Sequence, residues 1–194
     1  MQAVREKLNL PDRFILFLGT LEPRKNLPAL LRAYESIAGR ITQDIVLAGR
    51  MGWDSKILMQ FLKNSDIRER IHLTGFVDDE YLASILSMAD IVAYPALYEG
   101  FGLPVVEAMA CGTPVLTSSV SSLPEAAGGA AVLADPESVE DMASKLLKMA
   151  TDEELRESLA SRGLARVSRL SWNKVAEMTL DTCLRAIETE EDSP

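Results

Sequence analysis

The sequence predicts a doubly wound α/β domain: a Rossmann-like parallel sheet of about six strands, helices on both faces and a helical C-terminus. Short apolar runs recur along the chain and most stop at a glycine, the pattern of strands buried on both faces. Amphipathic segments with helical spacing separate them. After Asp135 only helical patterns follow. Repeated strand–helix–strand units require right-handed parallel crossovers, and such sheets bind ligands beyond the carboxyl ends of their strands.

Taken in order, residues 1–10 read as a short helix, VREKLNL, closed by Pro11. This is expected to be the remnant of a linker whose upstream part is missing. Phe14 to Leu18 is the first strand, ended by Gly19. The loop TLEPRK follows, and Asn26 is placed to cap the helix LPALLRAYESIAGR, with apolar residues at Leu27, Leu30, Leu31, Tyr34, Ile37 and Ala38. Asp44–Ala48 is the second strand, ended by Gly49. Asp54 can cap SKILMQFLKNS. Residues 70–74 form the third strand before Gly75, and Asp78 or Asp79 can cap EYLASILSMA. Residues 90–94 form the fourth strand, 114–117 the fifth and 130–133 the sixth. Helices are expected over about 138–150, 152–169 and 172–188, starting at Asp135-Pro136, Thr151-Asp152 and Ser171, with Gly163 bending the middle one. The chain thus divides into the linker remnant at 1–10, one domain over 11–188 and a solvated acidic tail at 189–194.

Bulk composition limits the function. With 194 residues, 47% hydrophobic and 25% charged, the chain supports one sizeable core. No apolar run approaches the roughly 18 residues that span a bilayer, and the first residues lack the apolar segment of a signal peptide. A formal charge of −9 argues against nucleic acid as a partner but leaves room for a small phosphorylated ligand. Cys111 and Cys183 lie far apart, as reduced thiols in or near the core of a cytoplasmic protein would. A single histidine, His72, excludes a multi-histidine metal site and reads as structural. Asp78-Asp79 reads as a cap rather than a metal pair. No GxGxxG follows the first strand, which weakens a dinucleotide reading.

The chemistry concentrates in YEGFGLPVVEAMACGTPV, residues 98–115. Gly100 and Gly102 flank Phe101 and let the backbone turn sharply, and Pro104 suits the first position of a helix. That helix starts near Leu103 at the end of a strand, so its free N–H groups face the crevice and suit a diphosphate. Glu99 and Glu107 lie on either side of the turn. Carboxylates repel phosphate but accept hydrogen bonds from vicinal diols, and one diol on each side of a diphosphate describes a sugar nucleotide. Arg24 and Lys25, in the loop after the first strand, offer the countercharge. Arg50 is a weaker candidate. Ser118, Ser119, Ser121 and Ser122 form a loop in which no base is placed to activate a nucleophile.

GTLEPRKN, HLTGFVDDEYL, ADIVAYPALYEGFGLPVVEAMACGTPV and SSLPEAAG with ADP together resemble the C-terminal, donor-binding half of a family 4 glycosyltransferase of the GT-B fold, over about residues 10–188. The resemblance implies a retaining, metal-independent transferase without a cofactor, moving a hexosyl group, mannose among the candidates, from a nucleoside-diphosphate sugar to an acceptor hydroxyl. It implies that Glu99 lies beside the donor sugar, that Glu107 holds the ribose, that Lys25 neutralises the diphosphate and that amides around Gly100, Phe101, Gly102 and Leu103 meet phosphate. Gly19 and Thr20 border that site by the same resemblance, and Gly75, Phe76 and Val77 lie near the base. Catalytic work then falls to Glu99, Lys25 and Arg24. Many relatives carry an arginine where this chain has Thr20, so either Arg24 supplies the second charge or a phosphate contact is lost. The acceptor, a glycan or lipid-linked glycan, would be met by a missing N-terminal domain, with peripheral membrane association of the full-length protein. On its own the domain is then expected to be inactive. The alternatives are a non-catalytic nucleotide-binding module and a sugar-nucleotide epimerase or phosphorylase of similar architecture.

Overall fold

The fold is described from a computed structural model covering residues 1–53 and 56–191, without the side chains of residue 57 and residues 188–191. The expected cap at Asp54 and the last three residues of the expected tail lie outside the described residues.

Six parallel strands form one sheet: β1 (Phe14–Leu18), β2 (Asp44–Ala48), β3 (Ile71–Gly75), β4 (Ile91–Tyr94), β5 (Val115–Ser118) and β6 (Val132–Ala134). Their order is β3-β2-β1-β4-β5-β6. The chain therefore winds outward from β1 to β3, then returns past β1 and winds the other way. The reversal falls between β1 and β4, which pair at Ile15 with Ile91 and Leu16 with Val92. A crevice opens beyond the carboxyl ends of two such neighbours because their following loops diverge.

Strands β1, β4 and β5 are buried at every residue, and β2 at all but Asp44, as continuous apolar runs dictate. Strand β3 departs from that pattern. It lies at the sheet edge, is shifted against β2 at Leu47 and Ala48, and leaves Leu73 exposed. His72 on this strand is structural, with Nε2 2.8 Å from Asp44 Oδ2. Asp44 also receives Arg70 Nε at 2.9 Å, at the end of the sheet opposite the crevice.

The helices are α1 (Gln2–Lys7), α2 (Leu27–Ile37), α3 (Lys56–Asn64), α4 (Asp79–Met88), α5 (Leu103–Ala110), α6 (Leu123–Ala127), α7 (Val139–Thr151), α8 (Glu153–Val167) and α9 (Trp172–Glu191). Helix α2 packs against α3 and α7, while α5 packs against α4, α6 and α8. Local chemistry accounts for several ends. Ser138 and Asp152 cap α7 and α8 by accepting from Asp141 N and Leu155 N, and Ser171 Oγ accepts from Lys174 N at the start of α9.

Several sequence expectations need correction. Asn26 precedes α2 in the left-handed conformation and makes no side-chain cap; its amide donates instead to Pro136 O at 2.8 Å, tying the first loop to the turn before α7. Asp78 likewise makes no side-chain cap on α4. Gly163 lies within the continuous helix α8. It is buried against α5, where a Cβ would come 3.1 Å from Met109 Cγ, so it sets how closely the two helices approach. Cys111 packs at the core, but Cys183 is exposed on α9, which carries its apolar residues outward.

The tightest backbone approach joins the ends of β1 and β2. Gly49 has φ 149°, and a Cβ there would lie 1.9 Å from Gly19 O. Gly49→Ala is expected to cost about 3 kcal/mol or more, because neither backbone can retreat without breaking the ladder. Gly39→Ala, where a Cβ meets open space, should stay within about 0.5 kcal/mol. Urea unfolding of the two variants measures both.

Candidate functional site

The crevice at the strand reversal is built from the loops that leave β1 and β4. After Gly19, the bridge of Leu21 to Met51 keeps the chain beside the β2 loop. Pro23 then starts a single tight turn, Pro23–Lys25, that aims Lys25 inward. Leu97 N donates to Arg24 O at 2.8 Å, so the β1 and β4 loops are fastened directly to one another.

Lys25, expected to neutralise the diphosphate, is only 6% exposed. Its ammonium donates to Tyr94 Oη and to Glu99 Oε1. Tyr94 Oη donates to the same Glu99 oxygen at 2.9 Å, and Arg24 Nη1 adds a third donor at 2.9 Å. Glu22 completes the group: its Oε1 is buried 2.5 Å from Arg24 Nε but makes no hydrogen bond among the described residues. That contact is close in charge and poor in angle. All three donors to Glu99 converge on Oε1, and none of the described residues donates to Oε2.

Burial pushes the Glu99 carboxyl up, but hydrogen bonds from Lys25 and Tyr94 and the nearby Lys25 and Arg24 charges outweigh it and hold it below the usual carboxylate range. Burial, reinforced by the Glu99 charge, pushes the Tyr94 phenol well above its ordinary value, so it stays a donor.

The backbone beside Glu99 is fixed from the other side by the serine loop after β5. Ser121 Oγ accepts from Glu99 N at 3.1 Å and donates to Glu99 O at 2.8 Å; Ser122 Oγ donates to the same carbonyl at 2.9 Å. Ser118 and Thr117 hydroxyls donate to Ala96 O and Tyr94 O at 2.7 and 2.8 Å. These hydroxyls act as clamps on the β4 loop.

Gly102 precedes α5 with φ 97°, and a Cβ there would lie 2.6 Å from Leu123 Cδ2. Its left-handed conformation favours glycine, and a side chain there would also displace Leu123. Gly100 is not: its φ is not left-handed and a Cβ would meet nothing. Phe101 and Leu103 are exposed at the helix start. Glu107 is exposed on α5, so the two glutamates are not equivalent: one is tied into the protein and the other is open.

The remaining expected residues lie along the same rim. Gly19 and exposed Thr20 follow β1. Gly75 takes φ 70° at the end of β3, and its carbonyl accepts from Gly49 N at 2.8 Å. Phe76 is exposed with the Arg50 guanidinium 4.2 Å from its ring centroid, a stacked pair that spans the β2 and β3 loops. Val77 is buried, so its side chain serves the core and only its backbone can meet a ligand. Sequence reasoning missed Tyr94, Glu22, Ser121 and Ser122 as site members. Tyr94 reads as an ordinary strand end; the only available signal was a hydroxyl closing an otherwise apolar run. Among the described residues no group of three or more His, Cys, Asp or Glu is placed to hold a metal ion, and no helix is long and apolar enough to cross a membrane.

The Glu99 environment makes a direct prediction. A depressed carboxyl contributes stability that is present above its unfolded value of about 4.3 and is lost as pH falls through the folded value. Carboxyl carbon NMR should place the Glu99 midpoint below that reference, and Lys25→Met should raise it. A midpoint at or above the reference would contradict the geometry.

The chain is similar to known proteins in sequence and in fold. The family described as "Glycosyl transferases group 1" matches residues 2–166. O-antigen chain mannosyltransferase B of Escherichia coli is 38% identical over 170 residues, 87% of this chain and 45% of that protein. Serotype-specific mannosyltransferase WbdA of Escherichia coli is 32% identical over 197 residues, 100% of this chain and 24% of that protein. The chain thus spans under half the length of these relatives. Among solved structures, sucrose-phosphate synthase from Thermosynechococcus elongatus superposes with a TM-score of 0.80 at 27% identity, covering 98% of this chain and 49% of that one. The C-terminal domain of a glycosyl transferase group 1 family protein, LpcC of Francisella tularensis, superposes at 0.75 with 26% identity, covering 86% of this chain and 90% of that one. Anabaena Alr3699/HepE in complex with UDP-glucose shares the fold at 0.82 and 21% identity, over 95% of this chain and 52% of that one.

Proposed function

The chain belongs to the group 1 glycosyl transferases, with the fold of their C-terminal domain, and from that premise we propose that its crevice binds a nucleoside-diphosphate sugar for transfer of a hexosyl group to an acceptor hydroxyl. The observation that carries this reading is the convergence of Lys25, Arg24, Tyr94 and Glu99 at the reversal of the sheet, beside the free N-terminus of α5.

The roles follow from the chemistry of each group. Lys25 and Arg24, with the first amides of α5, meet the diphosphate and the charge that grows on it as the glycosidic bond breaks. Glu99 Oε2 accepts hydroxyls of the donor sugar, while exposed Glu107 accepts the ribose hydroxyls. The backbone of Gly75–Val77 borders the base. Gly19 and Thr20 line the β1 side, and with no cation at Thr20 the second positive charge falls to Arg24. On the strength of the family resemblance, the proposed reaction retains the anomeric configuration and uses neither a metal nor a cofactor. Mannose is the first candidate sugar, a reading supported by the names of the two mannosyltransferase relatives.

The acceptor is a glycan or lipid-linked glycan, met outside this chain at the membrane surface of the cytoplasm. By itself the 194-residue chain binds donor and transfers nothing; product formed without acceptor would point to an epimerase instead. A thermal-shift screen against UDP-, GDP- and ADP-sugars identifies the donor, because a ligand bound only by the folded state raises the transition. With that donor, Lys25→Ala and Glu107→Ala should each weaken binding in calorimetry by more than about tenfold, roughly 1.4 kcal/mol. The exposed α2 variant Arg32→Ala should leave it unchanged. Wild-type affinity in both folded site variants would sink the reading.

A further inference from the structure

We propose that Tyr94 is a positioning residue for donor-sugar recognition: its hydroxyl fixes which oxygen of Glu99 is left for the ligand and holds the Lys25 ammonium beside it. The inference rests on the crevice being a nucleoside-diphosphate-sugar site and assigns a role within it.

Tyr94 is built to stay in place and out of reach. It is 1% exposed at the end of β4. Its ring stacks on Phe17 of β1 at 5.8 Å between centroids and 10° between planes. Its carbonyl accepts from the Thr117 hydroxyl of β5. The ring is therefore anchored by β1 and the backbone by β5, and the buried side chain is kept from touching a ligand itself.

The hydroxyl has one proton and two lone-pair sites. Lys25 offers only protons, so Tyr94 accepts from Lys25 and must direct its own proton to Glu99 Oε1. Lys25 and Arg24 donate to that same oxygen. Oε1 is thereby saturated, and Oε2 keeps its full accepting capacity for hydroxyls that enter the crevice. Among the described residues, the charged groups that face Glu99 belong to this arrangement: Lys25 and Arg24 from the turn after β1, with Glu22 paired to Arg24. The loop after β5 brings only the neutral hydroxyls of Ser121 and Ser122. Without the phenol, Glu99 can rotate and share its oxygens between Lys25 and Arg24, and the acceptor site for sugar is no longer defined.

The test is Tyr94→Phe in the full chain, which keeps the ring and removes the hydroxyl. Calorimetry with UDP, UDP-glucose, GDP and GDP-mannose across the acidic and neutral range gives the gain in affinity due to the sugar and its acid limb. The sugar-dependent gain should fall by about tenfold or more while affinity for the bare diphosphate changes less than about threefold. The acid limb should move to higher pH, because Glu99 loses a donor that favours its charged form. Equal losses for both ligand classes with an unmoved acid limb would mean a packing role only and overturn the inference. So would a folded variant that keeps the full gain. If Tyr94→Phe does not fold, para-aminophenylalanine at the same position retains a ring and a donor. It should preserve the gain, and a folded chain lacking it would also overturn the inference. If the unaltered chain binds none of the four probes, the proposed function fails; binding with an unchanged gain in the variant overturns the role of Tyr94 alone.

Discussion

A buried ammonium and a nearly buried carboxylate face each other where the sheet reverses, and the rest of the site depends on that pairing. Lys25 and Glu99 come from loops 74 residues apart in sequence, yet β1 and β4 are neighbours in the sheet. The topology brings the loops together, and the Arg24–Leu97 backbone bond closes the gap. Removing Glu99 would leave the buried Lys25 ammonium without its carboxylate, whereas removing Lys25 leaves Glu99 still held by Arg24 and Tyr94. The pair is held by more than its own attraction. The phenol below it, the guanidinium beside it and the serine loop behind it each fix a different degree of freedom of Glu99.

The start of α5 is constrained from a second direction. Gly102 takes a left-handed φ that disfavours any side chain, and a Cβ there would force the Leu123 side chain of α6 to shift, so backbone conformation and packing against α6 together set the helix N-terminus. Gly163 lets α8 settle close against Met109 of α5. A helix wedged in this way presents its free amides at a fixed place. Preorganised donors cost nothing to reorient when charge develops on a ligand. The rigidity of the site is thus an outcome of core packing several residues away from it.

The sheet and its helices were legible in the sequence because each element satisfies a local rule: apolar runs for β1, β2, β4 and β5, helical spacing for α2, side-chain caps for α8 and α9. The edge position of β3 was not legible, since an apolar run does not say how many neighbours it will have. Arg24, Lys25, Glu99 and the Gly102 turn could be singled out from charge and turn chemistry. Tyr94 and the clamps at Ser121 and Ser122 could not, because their roles arise only when β4 and β5 lie side by side. Asn26 misled for a related reason: a distant carbonyl, Pro136 O, outcompeted the local cap. Local periodicity carries the fold, while pairing across the sheet carries the fine structure of the site.

The charge balance explains why the two glutamates differ. Lys25 and Arg24 bring two positive charges, and Glu22 and Glu99 bring two negative ones within ion-pair distance of them. The cluster is close to neutral before any ligand arrives. A diphosphate therefore cannot be bound by surplus cationic charge alone. It must draw on the protons that Lys25 and Arg24 still have to donate, and on the amides of α5, whose attraction for an anion does not depend on net charge. Glu107 stands outside this balance, exposed on α5 and unneutralised by the cluster. It suits a neutral diol and disfavours a second anion. An arrangement neutral at its centre and acidic at its margin favours diphosphates that carry a hydroxyl-rich group on both sides over diphosphates that do not. On the proposed function, that preference would separate a sugar nucleotide from the bare nucleotide left after transfer.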